Sequence, residues 1–324
     1  MTAMSAPRRP PRRRVDGVLL LDKPRGFTSN AALQRVKRLF NADKAGHTGT
    51  LDPLASGLLP ICFGDATRFA QFLLDAPKRY VATVRFGATT ATQDAEVEVT
   101  VTKPVLFARA DLEAMLRRFT GSIVQTPPAH SALKFEGRPH YDYARRGIDV
   151  PRTPREITIH ALELLDWTPP EATLAVSCSK GTYVRTLAAD VGDALGCGAH
   201  LAALRRTRTG PFDLATASTL DALEHEDETT RDARLLPIDA PLAALPRLDV
   251  APQIAALLAC GQRPGIAAAG GRYRIYAPGE RFVGVADVES QRLVALRLVT
   301  QRGDGDAPEI PGAHAAGSTE RLEC

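Results

Sequence analysis

The sequence predicts an α+β fold in which a mixed or antiparallel sheet carries flanking helices and a small β domain follows near the C-terminus. Strand and helix patterns follow one another without the regular alternation of a doubly wound sheet. A proline-rich stretch, 236–252, is typical of an interdomain connection, and short strand patterns lie beyond it. A chain of 324 residues is long enough to bury a core in each part.

The first elements are predicted as a buried strand and two helices. The run Gly17–Asp22 is apolar and short, as expected of a buried strand. A hydroxyl or amide side chain at 28–30 can cap the helix that follows. A second helix is predicted from Asp65, because apolar residues recur at helical spacing over 66–73.

Further elements follow from changes in apolar period. From Arg79 the period becomes two, with Tyr80, Ala82, Val84 and Phe86 on one strand face. The stretch 96–102 alternates as well, which predicts that Val97, Val99 and Val101 point inward. The remaining predictions are helices near 112–119 and 187–195 and strands at 173–178, 272–276, 282–288 and 293–299.

Charge is distributed unevenly along the chain. The first 210 residues hold 30 of the 41 Lys and Arg but 20 of the 37 Asp and Glu. A basic front part favours a polyanion such as RNA, because Lys and Arg displace counterions from phosphates. Residues 1–14 are rich in Arg and Pro and are predicted to be a disordered basic arm, and 301–324 are predicted to be a disordered tail.

Composition excludes several classes of protein. No apolar run is long enough for a membrane span or a signal peptide, so we expect a cytoplasmic protein with no membrane partner. The cysteines never form a C-x-x-C pair, which disfavours a disulfide framework and a zinc knuckle.

The densest polar cluster is Ala45–Gly57, which reads AGHTGTLDPLASG. Its glycines and proline specify an unusual backbone path that presents His47 and Asp52. The cluster matches neither a phosphate-binding loop nor a nucleophile elbow. His47 and Asp52 alone do not make a metal site, so we expect no metal.

Motifs in a fixed order carry a resemblance to one family. They are Gly17–Pro24, Ala45–Gly57, Lys78–Tyr80, Ser131–Lys134 and Ser179–Arg185. Together they resemble the bacterial tRNA pseudouridine-55 synthase family, of the TruB type, over about residues 15–212. The resemblance implies a pseudouridine-synthase catalytic domain at 15–235 with an RNA-gripping insertion at about 125–152. The strands at 247–300 resemble, more weakly, the family's small PUA-like RNA-binding domain.

The family resemblance implies an isomerase. Its members convert the uridine at tRNA position 55, in the T loop, to pseudouridine. Because the reaction conserves all atoms, it needs no cofactor or energy source. The implied partner is the T arm of tRNA, and we expect a monomer. The target nucleotide must be flipped out to reach a recessed site.

Catalytic roles carry over to three residues. The resemblance implies that Asp52 acts on the uridine, by attacking the base, attacking C1′ or removing a ribose proton. Arg185 is implied as its partner, which would keep the carboxylate ionised and aimed. Tyr80 is implied as the aromatic that stacks on uracil and helps to remove the C5 proton.

Substrate-binding roles are expected at further positions. His47 is expected to hold the rearranged loop, and Leu204 to form the apolar wall of the uracil pocket. Arg205 and its neighbour Arg206 suit phosphates, and the insertion interleaves cations with aromatic residues. The expected substrate-binding set also includes Tyr183, Lys23, Lys134 and Arg145.

Two other classes of function are considered. One is a noncatalytic RNA-binding protein that assists tRNA folding. The other is a metal-dependent RNA hydrolase that uses His47 and Asp52, which would show cleavage sensitive to a chelator.

Overall fold

The computed structural model describes residues 11–300. The chain forms two compact units, and the boundary between them in the sequence lies between Pro237 and Ile238. This division falls within the proline-rich stretch singled out above. None of the described helices is long and apolar enough to cross a membrane.

The first unit contains fourteen strands within the described residues. In chain order they are β1 Gly17–Lys23, β2 Ala45–His47, β3 Ala55–Phe63, β4 Lys78–Phe86, β5 Ala88–Thr90, β6 Val99–Thr102, β7 Gly121–Gln125, β8 Lys134–Phe135, β9 Arg138–Pro139, β10 Arg155–Thr168, β11 Glu171–Cys178, β12 Ala199–Thr209, β13 Phe212–Asp213 and β14 Ser218–Thr219.

Helices of the first unit flank these strands. They are α1 Ser29–Leu39, α2 Ala70–Asp75, α3 Arg109–Arg118, α4 His140–Ala144, α5 Val184–Ala194, α6 Leu220–His225 and α7 Glu228–Ala233. The helix predicted from Asp65 begins as a 3-10 turn, Gly64–Phe69, that continues directly into α2.

The main sheet has the order β14-β1-β3-β12-β4-β11-β10-β7, with β2 added beside β3 and β13 beside β12. The pairs β1–β14 and β3–β12 are parallel, whereas the other pairs of this sheet are antiparallel. The predicted α+β class with a mixed sheet is therefore confirmed.

Apolar clusters pack around the centre of this sheet. One contains side chains of β4, β10, β11 and α5, and another contains side chains of β1, β3 and α1. Tyr80 and Leu204, on the neighbouring strands β4 and β12, pack against both clusters. The middle of the sheet is thus a firm base for side chains that point out of it.

Local signals for helix ends are confirmed. The Thr28 hydroxyl accepts a hydrogen bond from the Ala31 amide at 3.0 Å and caps α1. Gly196, with φ of +82°, follows the C-cap of α5, a conformation that glycine adopts without strain.

The predicted burial of the valines at 97–101 is wrong. Val97, Val99 and Val101 are 42%, 50% and 48% exposed. Strand β6 pairs with β5 in a two-stranded sheet outside the main sheet. Alternation of apolar and polar residues indicates that a strand has two different faces. The apolar face is buried only where a second layer of the protein packs against it.

The last residues of the predicted arm 1–14 are ordered. Residues 1–10 and the predicted tail, 301–324, lie outside the described residues. Arg13, by contrast, is docked: its guanidinium binds Asp232 through two contacts of 2.6 Å, and its backbone bonds to Asn41 and Asp43. A bidentate pair and backbone pairing explain why this end of the segment is ordered.

The second unit contains β15 Arg247–Asp249, α8 Pro252–Ala259, β16 Gly271–Ala277, β17 Arg281–Glu289 and β18 Arg292–Leu298, after a 3-10 turn at Ala240–Leu242. The sheet order is β15-β16-β17-β18, with β15 parallel to β16 and the other pairs antiparallel. The helix α8 and these strands share an apolar cluster. The predicted C-terminal β domain is present.

Candidate active site

A cavity of about 350 Å³ opens on the central strands of the first unit. This volume suits a small ligand or a single base. The cavity is lined by Asp52, Tyr80, Tyr183, Arg185 and Leu204, all expected at the site, together with other side chains. The cavity therefore brings together residues as far apart in sequence as Asp52 and Leu204.

The loop that carries Asp52 is fixed from both sides. The buried hydroxyl of Ser29, the first residue of α1, accepts from the Leu51 amide at 2.7 Å and donates to the Leu51 carbonyl at 3.0 Å. Leu51 and Leu54 are buried on either side of the carboxylate. The Asp52 side chain is 39% exposed, into the cavity that it lines.

Arg185 pairs with this carboxylate from the first turn of α5. Its Nε lies 2.9 Å from Asp52 Oδ2, and its side chain is 6% exposed. Its Nη1 lies 3.2 Å from Asp94 Oδ2 and donates to the Thr92 carbonyl at 3.0 Å. Its Nη2 donates to the His130 carbonyl at 3.0 Å. These contacts fix the direction from which the guanidinium meets Asp52.

Asp94 was missed by the sequence analysis. Its side chain is 2% exposed, and its second oxygen accepts from the Thr92 hydroxyl at 2.6 Å and from the Glu96 amide at 3.1 Å. The guanidinium of Arg185 is thus held between Asp94 and Asp52. The signal available in the sequence was the local Thr-x-Asp-x-Glu spacing, which by itself is typical of a turn.

Burial and neighbouring charges act in opposite directions on Asp52. Burial raises the pKa of Asp52, the Arg185 charge opposes that rise, and the Asp94 charge adds to it. The net direction is upward: the Arg185 charge favours the ionised carboxylate, and burial outweighs that effect. The ionised form is present above this pKa and is lost as pH falls through it.

Tyr80 faces the same cavity from β4. Burial raises its pKa, while the charge of Arg206 and a hydrogen bond from Arg206 oppose the rise. The phenol is therefore neutral near pH 7 and presents its ring and a polarised hydroxyl. In the register of the sheet, Tyr80 lies between Val176 and Arg206.

Arg206 connects the strand of Tyr80 to the loop of Asp52. It is 1% exposed, and it donates from Nε to the Leu58 carbonyl at 2.7 Å and from Nη2 to the Gly49 carbonyl at 3.1 Å. Its backbone pairs with Gly57, where a Cβ would stand 2.3 Å from the Arg206 oxygen and where φ is +100°. The guanidinium of Arg206 is occupied by buried backbone contacts, and its expected contact with phosphate stays a prediction.

The neighbours of Arg206 alternate as expected for a strand. Leu204 lines the cavity and pairs in register with Ala55 and Ala82. Arg205 points outward, 45% exposed, and its guanidinium binds the Asp22 carboxylate at 2.7 Å. A phosphate that binds the Arg205 guanidinium must therefore share it with the Asp22 carboxylate or displace that carboxylate.

Lys23 is placed differently from the expectation. It is fully buried, and its Nζ donates to the carbonyls of Pro24 at 3.0 Å and Phe27 at 2.6 Å. Burial lowers its pKa to about 8, and the charge of Asp52 opposes that change. The ammonium group of Lys23 closes a turn, and Lys23 is not among the residues that line the cavity. Its contact with substrate stays a prediction, and in the structure Lys23 acts on Asp52 through its charge.

The charge of Lys23 gives a pH prediction. The Lys23 charge lowers the pKa of Asp52, so Lys23→Met is expected to raise it. The acid limb of kcat/KM, where activity is lost as Asp52 takes up a proton, should move to higher pH. A pH profile of kcat/KM for both proteins measures this shift. Lys44→Met, on the exposed surface, is the control, and coincident limbs for Lys23→Met and wild type would contradict the prediction.

His47 lies in β2, where it pairs with Ile61. Burial lowers its pKa and the Arg206 charge lowers it further, so the imidazole is neutral near pH 7. His47 is not one of the described residues that line the cavity. Its role toward the T loop stays a prediction.

Tyr183 stands at the N-cap of α5 and at the cavity wall. The buried amide of Gln125 accepts from the Tyr183 backbone N–H at 2.8 Å and donates to its carbonyl at 3.1 Å. The Arg155 guanidinium lies over the Tyr183 ring at 5.0 Å. These contacts fix Tyr183, which lies two positions before Arg185 in the sequence.

The insertion at 125–152 carries the remaining expected contacts. Lys134 is exposed on the β8–β9 hairpin, and Arg145 is exposed at the end of α4, over the ring of Tyr141 at 5.5 Å. Neither residue lines the cavity. Both are placed on the outer surface of the insertion rather than at the reacting atoms.

Metal-ligating side chains are scattered. Across 11–300, no group of three or more His, Cys, Asp or Glu side chains is arranged to hold a metal ion.

Family models match most of the first unit. The model described as "TruB family pseudouridylate synthase (N terminal domain)" matches residues 37–184. The model described as "tRNA pseudouridylate synthase B C-terminal domain" matches residues 185–243.

Curated relatives match nearly the whole chain. A protein of Burkholderia mallei (strain ATCC 23344), named tRNA pseudouridine synthase B, is 53% identical over 307 residues, which are 92% of this chain and 99% of the relative. A protein of the same name from Burkholderia lata is 55% identical over 305 residues, 92% of this chain and 94% of the relative.

Solved structures share the fold. A chain in an H/ACA ribonucleoprotein bound to a substrate RNA containing 2′-deoxyuridine is 25% identical, with a TM-score of 0.67 over 88% of this chain and 86% of that chain. A chain in a Cbf5–Nop10–Gar1 complex is 28% identical, with a TM-score of 0.66 over 87% and 83%.

The fold and the site are those of a pseudouridine synthase. The mixed sheet carries an Asp–Arg pair beside a tyrosine, and the family model matches this part of the chain. The chain belongs to the TruB family of pseudouridylate synthases. The predictions of this family and of an isomerase that acts in tRNA modification are confirmed.

Proposed function

We propose that this protein isomerises the uridine at position 55, in the T loop of tRNA, to pseudouridine. The observation that carries the proposal is the Asp52 carboxylate, which Arg185 holds at 2.9 Å in a cavity that Tyr80 and Leu204 also line. Relatives named tRNA pseudouridine synthase B support tRNA as the substrate. The motif resemblance supports position 55.

The chemistry is an exchange of bonds within one nucleotide. The bond from C1′ to N1 of uracil breaks, a bond from C1′ to C5 forms, and the proton on C5 moves to solvent while N1 gains one. Asp52 acts on the uridine in its ionised form. Arg185 orients this carboxylate and limits the rise of its pKa.

The other cavity residues hold the base. The ring of Tyr80 offers a face for stacking, and Leu204 offers an apolar wall. A uridine in a folded loop reaches Asp52 after it flips out, which costs a few kcal/mol of unstacking. Contacts of the cavity and of the insertion with the RNA offset that cost.

The insertion is proposed to grip the T arm. Its cations Lys134, Arg138, Arg145 and Arg146 are exposed, and Phe135 and Tyr143 pack edge to face at 5.9 Å. Cations beside a rigid aromatic pair suit phosphate contacts next to an unpaired loop.

Charge removal on the insertion gives a binding prediction. Lys134→Ala with Arg145→Ala is expected to weaken tRNA binding and to reduce the slope of log Kd against log salt by about 1 to 2, since each phosphate contact contributes about 0.7 to 0.9. Titration of labelled tRNA at several salt concentrations measures the slope. Arg109→Ala removes an exposed cation that is paired with Glu113 on α3, and it should leave the slope unchanged. An unchanged slope for the double variant would contradict the proposed grip.

The active form is proposed to be a monomer in the cytoplasm, where tRNA is available. The second unit is proposed to be a PUA-like RNA-binding domain, as its small mixed sheet and the weak sequence resemblance indicate.

The test is to incubate an unmodified tRNA transcript with the purified full chain and a chelator, and then to map pseudouridine at each position. A single signal at the T-loop uridine is expected. Tight binding without any pseudouridine would replace the proposal with a noncatalytic folding assistant. A parallel incubation omits the chelator, and cleavage that occurs only in its absence would instead indicate a hydrolase.

A further inference from the structure

Ser131 places a buried hydroxyl in the wall of the active-site cavity. The residue is 3% exposed and lines the cavity together with Asp52 and Tyr80. Within the described residues, its Oγ has no hydrogen-bond partner. A buried hydroxyl without a partner is unfavourable and rare, and it calls for a specific explanation.

Backbone hydrogen bonds fix Ser131 in the wall of the cavity. The Ser131 carbonyl accepts from the Tyr141 amide at 3.1 Å, and the carbonyl of His130 accepts from Arg185 Nη2 at 3.0 Å. Two residues further on, the Leu133 carbonyl accepts from the His140 amide at 2.7 Å. Turning Ser131 toward solvent would therefore disturb the contact that orients Arg185.

Other buried hydroxyls show why Ser131 differs. Ser29 is buried as deeply, but its hydroxyl bonds to both backbone groups of Leu51. Thr209 also has a buried Oγ1 that finds no partner in the described part of the chain, but it does not line the cavity. Among these three residues, Ser131 alone combines an unpartnered hydroxyl with a position where substrate enters.

We propose that the Ser131 hydroxyl is a substrate-recognition group that forms a hydrogen bond with the flipped uridine. This inference rests on the proposed function. A hydroxyl both donates and accepts, so it suits the uracil carbonyls, the N3–H group or the ribose 2′-hydroxyl. The adjacent Ala132 and Leu133, which also line the cavity, offer apolar side chains. The nucleotide thus supplies the partner that the hydroxyl lacks.

The first experiment compares Ser131→Ala with wild type on the unmodified transcript. We expect kcat/KM to fall about 3- to 10-fold, the effect of one neutral hydrogen bond. We also expect Tm to stay unchanged or to rise, because the variant removes a hydroxyl that has no protein partner. Thr209→Val is the matched control, since it removes a buried unpartnered hydroxyl outside the cavity and should leave kcat/KM unchanged.

Modified substrates then identify the contacted atom. The ratio of Kd between Ser131→Ala and wild type is measured for tRNA with uridine, 2′-deoxyuridine or 4-thiouridine at the target position. A ratio that falls to one with the deoxy nucleotide assigns the contact to the 2′-hydroxyl, and with the thio nucleotide to O4. A ratio retained with both assigns it to the O2–N3 edge.

Two results would overturn the inference. One is a Ser131→Ala protein with wild-type kcat/KM, and the other is a loss of activity accompanied by a fall in Tm, which would make the hydroxyl a structural group. Both are distinct from failure of the proposed function, which would appear as an inactive wild-type protein.

Discussion

Asp52→Asn is expected to lower the rate of isomerisation by about 10³-fold or more, while the affinity for tRNA stays nearly unchanged. Asparagine has the size of aspartate but carries no charge that can act on the uridine. Arg185 retains its contacts with Asp94 and with the carbonyls of Thr92 and His130, so the cavity keeps its shape.

The measurement is single-turnover isomerisation with saturating enzyme, beside a binding titration with the same tRNA. Asp221→Asn is the control, because that carboxylate lies 88% exposed on α6 and lines no part of the cavity. An Asp52→Asn protein with substantial activity would show that another group acts on the uridine.

Arg185→Met is expected to abolish activity and also to lower the free energy of unfolding, by about 3–5 kcal/mol. Removing the guanidinium leaves the Asp94 carboxylate, which is 2% exposed, as a buried charge without its counterion. It also releases Asp52 from the contact that orients it. Urea unfolding and single-turnover isomerisation measure the two losses separately.

A second substitution separates stability from catalysis. In Arg185→Met with Asp94→Asn the buried charge is gone, and the asparagine oxygen can still accept from the Thr92 hydroxyl and the Glu96 amide. We expect most of the lost stability to return but not the activity, because Asp52 remains without its partner. Recovery of activity in the double variant would show that Arg185 serves only to balance Asp94.

Apolar periodicity predicted the elements that pack against a second layer. The strand β1 and the helices α1 and α5 follow directly from short apolar runs, a Thr cap and a terminal glycine. The valines of 97–101 show the limit of this signal. Their alternation is that of a half-buried strand, but β6 pairs outside the main sheet, a tertiary fact that a local pattern does not contain.

The candidate site was predicted in part because motifs mark residues that act directly. Asp52, Tyr80 and Arg185 stand in such motifs and meet at one cavity. Asp94 and Arg206 act through pairing across the fold, and their local sequences are those of an ordinary turn and an ordinary strand. Lys23 stands in a motif too, but its ammonium group is turned into the protein.

The most direct test of the role of Asp52 counts protons released from C5. A tRNA transcript labelled with tritium at C5 of every uridine is incubated with wild-type protein and with Asp52→Asn. Wild type is expected to release one tritium per tRNA molecule, and Asp52→Asn none. Binding of the tRNA by wild type without any release, or equal release by both proteins, would contradict isomerisation of a single uridine by this carboxylate.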